Sequence, residues 1–275
     1  MTEPEKRAAL KVGVAGLGTI GLPVVKALAR GIPGLELAAV SSGREDIARR
    51  RLDEAGIRVP VADVAALVAA SDVVVECAPA RVFRAIAEPA LAAGRVLVTV
   101  SGAALLDAPE IVALAKRSGG RILLVTGALV GLDAVRAAAE GSIRSVRMVS
   151  RKPPASLKGA PYLEAHGIDV SAVSEPKRVF KGSARDGARG FPANVNVAAS
   201  LALAGIGPDK TELEIWADPT VTRNTHTIEV EADSARFSMT IENVPSPGNP
   251  ATGQITPLSV IAALRGLTAP LRVGT

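Results

Sequence analysis

The chain is short of the residues on which many chemistries depend. Among its 275 residues are one cysteine, two histidines, one tryptophan, one tyrosine and four phenylalanines. A single thiol, Cys77, excludes an intrachain disulfide and fits a reducing compartment. So few aromatics leave almost nothing on which to stack the bases of a single strand, and no nucleic-acid partner is expected. No apolar run is long enough to cross a bilayer, and no membrane partner is expected. The segment Met1–Lys11 mixes Glu3, Glu5, Lys6, Arg7 and Lys11 and does not read as a secretory signal. The cytoplasm is the expected compartment, and no metal is expected.

Small aliphatic residues are abundant. Hydrophobic residues make up 48% of the chain, so Ala, Val, Leu and Ile must fill its core. The net charge is +5, spread along the chain rather than gathered in blocks. That describes a mildly basic surface, with some attraction for phosphates and carboxylates.

Up to about residue 138, short apolar runs alternate with helical patterns. Lys11–Ala15, Leu35–Val40, Asp72–Cys77, Arg95–Val100 and Arg121–Val125 read as strands buried on both faces. Val59–Val61 reads as a further short strand. Between them, Ile20–Arg30, Ile47–Ala55, Asp63–Ala70, Val82–Ala93 and Ala108–Arg117 read as helices. This alternation predicts an α/β domain, a doubly wound parallel sheet of the Rossmann type, over residues 1–138. From Ser142 the pattern becomes period-2 alternation, in Ser142–Ser150, Leu213–Ala217, His226–Val230 and Arg236–Ile241. An α+β domain with a mostly antiparallel sheet is expected over 139–243. It includes an Ala-rich helix at Val195–Ala204. Residues 244–275 read as a loop followed by a helix that packs back on the first domain.

The loop Gly16-Leu17-Gly18-Thr19-Ile20-Gly21 follows a predicted strand and opens a predicted helix. Gly16 permits the tight turn, Gly18 lets a pyrophosphate approach the backbone, and Gly21 lets the helix pack on the strand. The N–H groups of Thr19 and Ile20 and the positive end of the helix then face the phosphates. With both flanks in place, the motif predicts NAD or NADP as cofactor. At the end of the second strand stands Val40-Ser41-Ser42-Gly43-Arg44, with no carboxylate at the expected position. Ser41, Ser42 and Arg44 are suited to a 2′-phosphate, so NADP should be tolerated. The alternative is that Ser42 merely caps the next helix.

Histidine titrates nearest neutral pH and is the first choice for acid–base work. His166 lies in an expected surface turn. His226 opens an alternating strand, which can aim a side chain rigidly. Ahead of the Ala-rich helix stand Asn194, a good N-cap, and Asn196, whose amide could reach a ligand such as the nicotinamide carboxamide. Cys77 reads as a free buried thiol with no histidine near it in sequence.

Taken together, these pieces resemble the L-aspartate dehydrogenase family. The resemblance runs through the glycine loop, Glu76-Cys77-Ala78, Gly127–Ala134, Arg151-Lys152-Pro153-Pro154 and Leu157-Lys158-Gly159. It continues through Phe191–Ala198, Leu203–Gly207, Ala217-Asp218-Pro219, Asn224-Thr225-His226 and Pro245–Pro250. It implies NAD(P)-dependent oxidative deamination of L-aspartate to oxaloacetate and ammonia through iminoaspartate, in a reversible reaction. It makes His226 the catalytic histidine and matches Ala128 and Asn196 to cofactor contacts. Cys77 and Ala78 are expected to join them, with Asn194, Lys158 and Asn224 binding substrate. A dicarboxylate calls for cationic side chains, and Arg151, Lys152 and Lys158 are the candidates, against the reading of a solvated face. Thr252-Gly253-Gln254 departs from the family's pattern. The exposed face of the antiparallel sheet suggests a homodimer. Two other readings stay open. One is a different imine or semialdehyde oxidoreductase on the same plan. The other is a dinucleotide sensor without turnover.

Overall fold

The computed structural model describes residues 8–192 and 195–274, apart from the side chains at 250 and 251. The first half contains β1 (Leu10–Ala15), α1 (Gly21–Ala29), β2 (Leu35–Ser41), α2 (Glu45–Glu54), α3 (Val64–Ala69), β3 (Val73–Glu76), α4 (Phe83–Ala92) and β4 (Val96–Thr99). Next come α5 (Gly102–Leu106), α6 (Pro109–Ser118), β5 (Arg121–Leu124), α7 (Leu132–Ala139), β6 (Ile143–Lys152) and α8 (Pro161–Ala165). Then follow β7 (Lys177–Ser183), α9 (Ala184–Gly190), α10 (Asn196–Ala204), β8 (Thr211–Ala217), β9 (Asn224–Ala232) and β10 (Arg236–Asn243). The last elements are β11 (Pro245–Ser246), β12 (Asn249–Gly253) and α11 (Ile255–Thr268).

Two compact units result. The first comprises 1–101, 108–125 and 257–272, and the second 102–107, 126–256 and 273–275. In the first, five parallel strands lie in the order β2-β1-β3-β4-β5. The chain leaves β1 towards β2 and then crosses to β3, so the order reverses beside β1. In open parallel sheets the carboxyl ends of the strands at such a reversal are where ligands bind. Every residue of β3 is buried, as its unbroken Val run requires. Local signals set the helix ends. Asp63 caps α3 by accepting from the Ala66 N–H at 2.8 Å. Gly119, at φ +75°, stops α6 in the left-handed conformation.

The second unit holds a five-stranded sheet, β10-β9-β6-β8-β7. All its pairs are antiparallel except β6 with β8. Its core gathers Val146, Met148, Leu213, Ile215 and Ile228 with the helix residues Ala198, Leu201 and Ala202.

Some boundaries differ from those expected. The first unit ends at Val125 rather than near 138, because Leu132, Val135 and Ala138 of α7 bury themselves in the second core. Residues 257–272 count with the first unit, where Val260 and Leu264 are fully buried. Val59–Val61 makes a single bridge, Val61 to Val40, instead of a strand. The N-cap of α10 is Val195. Asn194, the expected cap and substrate contact, lies outside the described residues. The periodicity reading passed over α5, α7, α8, β7, α9 and the β11–β12 hairpin.

Candidate active site

The glycine loop sits where β1 ends. Gly16 takes φ +97°, and the Gly16 N–H donates to the Ser41 carbonyl at 2.8 Å. A Cβ on Gly16 would meet the Cys77 carbonyl at 2.6 Å, and one on Gly21 would meet the Gly16 carbonyl at 1.7 Å. Both glycines are therefore demanded by close backbone approach. Gly18 is different, because a Cβ there would meet nothing within 4 Å. No side chain caps α1, and no acidic residue stands in its first turn. Open space over a bare backbone, before an uncapped helix of nine residues, fits a dinucleotide pyrophosphate.

The ends of β2 and β3 complete this region. Ser41 is buried, while Ser42 ties its hydroxyl to the Arg44 backbone at 3.2 and 3.3 Å. Ser42 thus serves the turn, and Arg44 stands exposed. Sequence reasoning missed Arg51, whose guanidinium donates to the Leu17 carbonyl inside the glycine loop at 2.5 Å. It also missed Glu76, which is wholly buried. The Glu76 carboxylate accepts from Thr99 Oγ1 at 2.6 Å and from the Ala78 N–H at 2.9 Å. Burial pushes this carboxyl above its ordinary range, although hydrogen bonds from Thr99, Ser101 and Ala78 oppose the rise. Glu76 thereby pins the Cys77-Ala78 turn against Gly16. Cys77 is a free thiol but only half-buried rather than buried as expected. Desolvation, and then the charge of Glu76, hold the thiol well above its usual range. A thiolate nucleophile is disfavoured there, which argues against the semialdehyde reading.

In the second unit, the strand registers bring an unusual group together. The buried face of β6 runs Val146, Met148, Ser150, Lys152. On β9 it runs Val230, Ile228, His226, Asn224. Ser150 lies opposite His226, and Asn224 lies opposite Asn243 of β10. Three neighbouring strands therefore switch from apolar to polar at the same end of one face.

His226 is buried, with Nδ1 2.9 Å from Ser150 Oγ. Burial, and then the charge of Lys152, hold its pKa well below 6.5. The imidazole is thus neutral at pH 7. Lys152 is itself buried, which lowers its pKa to about 8. The Oδ1 atoms of Asn224 and Asn243 are buried without a hydrogen-bond partner. The Asn243 Nδ2 donates to the Ala128 carbonyl at 3.0 Å and so fixes the segment that carries Ala128. Asn196 stands at the start of α10, and its Oδ1 accepts from the Ala103 N–H at 3.1 Å.

Other expected residues do not join this group. Lys158 stands exposed after the turn Pro154–Leu157, and its charge acts on Asp169. His166 is exposed, bonded to the Tyr162 carbonyl at 2.8 Å and stacked on its ring at 4.0 Å. Among the described residues no three His, Cys, Asp or Glu side chains gather as a metal site. Nor is any described helix long and apolar enough to cross a membrane.

Comparison with known proteins decides the family. The model named "Aspartate dehydrogenase, C-terminal" matches residues 133–267. "Homoserine dehydrogenase, NAD binding domain" matches 16–125. An L-aspartate dehydrogenase of Bradyrhizobium diazoefficiens is 54% identical over all of this chain and 98% of its own. The chain belongs to the L-aspartate dehydrogenase family. L-aspartate dehydrogenase 3 of Bordetella bronchiseptica is 53% identical over 98% of this chain and 99% of its own. The family fold is seen in a crystal structure of aspartate dehydrogenase from Thermotoga maritima, with a TM-score of 0.73 at 22% identity. That match covers 96% of this chain and 99% of the other. Membership makes the first unit an NAD(P)-binding domain, and the bare Gly18 backbone is the feature in it that suits the cofactor.

Proposed function

We propose that the protein is an NAD(P)-dependent L-aspartate dehydrogenase, converting L-aspartate to oxaloacetate and ammonia, reversibly, with His226 as its acid–base catalyst. The observation that supports it most is a neutral buried imidazole, oriented by Ser150, in a family of this activity. The nicotinamide, when bound, supplies the hydride acceptor for the Cα of aspartate.

The chain's own residues handle the rest. Gly18, with the N–H groups of Thr19 and Ile20, would seat the pyrophosphate, and Arg44 is free to meet a 2′-phosphate. Ala128 and Asn196 would contact the cofactor, as would Cys77 and Ala78. Asn224, with its unpaired Oδ1, would accept a hydrogen bond from the substrate nitrogen. Loss of hydride leaves iminoaspartate. A water then adds its hydroxyl to the imine carbon, and its proton passes to His226. For Nε2 to take that proton, Nδ1–H must donate to Ser150 Oγ. The imidazolium returns a proton to the nitrogen, and as ammonia leaves, His226, again neutral, takes the hydroxyl proton and the carbonyl of oxaloacetate forms.

The working form would be a cytoplasmic homodimer without nucleic-acid or membrane partners. The second sheet's other face offers Arg147, Glu229 and Thr227 to such a contact. The direct test follows oxidation of NADPH and NADH with oxaloacetate plus ammonia. Turnover is expected with both cofactors, and no turnover with either would overturn the assignment.

A further inference from the structure

We propose that Lys152 is the anion anchor of this site, its ammonium receiving a carboxylate of the substrate beside His226. The inference rests on the reading above that the substrate is a dicarboxylate. The backbone places the side chain. Lys152 is two residues beyond Ser150 on β6, so it shares the buried face on which Ser150 meets His226. Its neighbour across β8 is Ala217, which offers no charge.

A buried ammonium is costly unless paired. The other buried charges of this sheet are paired. Glu214 lies within 3.1 Å of Arg147 and 3.6 Å of both Arg178 and Lys181. Asp218 takes Arg151 at 3.0 Å. Arg151 itself lies over the Trp216 ring, 4.8 Å from its centre. Of two adjacent cations, then, Arg151 is compensated and half-exposed. Lys152 is buried and has no carboxylate partner among the described residues. At pH 7 it still holds its proton, since burial leaves its pKa at about 8.

A fold keeps an uncompensated buried charge at a cost in stability, and the natural compensation is a bound anion. The cluster then holds three complementary groups. These are a cation for a carboxylate, a neutral base for water, and the unpaired Asn224 Oδ1 for the amine or imine N–H. Seating a carboxylate on Lys152 would also neutralise the charge that now depresses His226.

The test compares wild type with Lys152→Met, which keeps the apolar stem, and Lys152→Arg, which keeps the charge. In Lys152→Met the KM for oxaloacetate should rise by about 10- to 100-fold, the loss of a charge-assisted bond. The KM for NADPH should be unchanged. The acid limb of the pH–rate profile should move to higher pH as His226 is relieved of the charge. The thermal midpoint should hold or rise, since a costly buried charge has gone. Lys152→Arg should recover part of the affinity. An unchanged KM for oxaloacetate, a matching loss of NADPH affinity, or a fall in the thermal midpoint would overturn the role. Calorimetric titration with succinate separates this claim from the assignment of aspartate. Succinate binding to wild type and not to Lys152→Met upholds the anchor even if oxaloacetate is not turned over. Equal binding to both refutes it even if the enzyme is active.

Discussion

At the scale of single residues, the candidate chemistry rests on keeping His226 uncharged. An ordinary histidine base would lose activity below about pH 6.5. Here burial, and then the Lys152 charge, push the pKa lower, so the rate should stay flat through pH 6.5 and fall only further down. A pH–rate profile of kcat/KM, which reports the free enzyme, checks this, and a limb at 6.5 would contradict it. The same shift sets a stability trend. The unfolded chain takes up a proton near pH 6.5 and the folded chain does not, so stability should decline as pH falls below that value. Replacing His226 with Asn should lower kcat by about 10²- to 10⁴-fold while leaving NADPH binding intact.

At the scale of elements, two glycines of one loop should fail in different ways. Gly21→Ala sets a Cβ 1.7 Å from the Gly16 carbonyl, so the helix must move off the strand. A loss of about 1–3 kcal/mol in stability is expected, as for other overpacked sites. Gly18→Ala meets nothing and should leave the thermal midpoint alone, yet it fills the space left for the pyrophosphate. Its NADPH dissociation constant should rise. Paired melting curves and nucleotide titrations would expose a contradiction if both variants behaved alike.

This division also marks what could be read from the sequence. The parallel unit was legible because each strand is a short aliphatic run, Val-rich in β1, β3 and β4, closed by a glycine or a helix signal. His226 was legible through its place at the head of an alternating run. Ser150 was not singled out, and Lys152 stood only as one of three candidate cations with Arg151 and Lys158, because in sequence they sit in Ser150-Arg151-Lys152, which looks like a solvated stretch. The signal was present in the parity, since Val146 and Met148 already mark even positions of β6 as buried. Asn243 and Glu76 escaped for a similar reason. Each is a polar residue ending a strand, where only the register of neighbouring strands shows what it meets.

At the scale of the whole molecule, the chain does not divide into two consecutive domains. The first unit closes only when residues 257–272 return to it, after the entire second sheet has been built. Of that return, Val260 and Leu264 are fully buried among Val12, Val25, Leu28 and Val40. Thr268 adds a hydrogen bond from its hydroxyl to the Pro33 carbonyl at 2.7 Å. The nucleotide-binding core therefore depends on residues more than 200 positions downstream of its glycine loop. Leu264→Ala should cost about 2–5 kcal/mol, the range for emptying a well-packed leucine site. That loss should appear in the unfolding of the cofactor-binding unit. NADPH added at about 100 times its dissociation constant should restore roughly 2.7 kcal/mol of it by mass action. Thermal unfolding followed with and without NADPH measures both effects. A Leu264→Ala protein as stable as wild type would mean that the C-terminal helix decorates the first core instead of completing it.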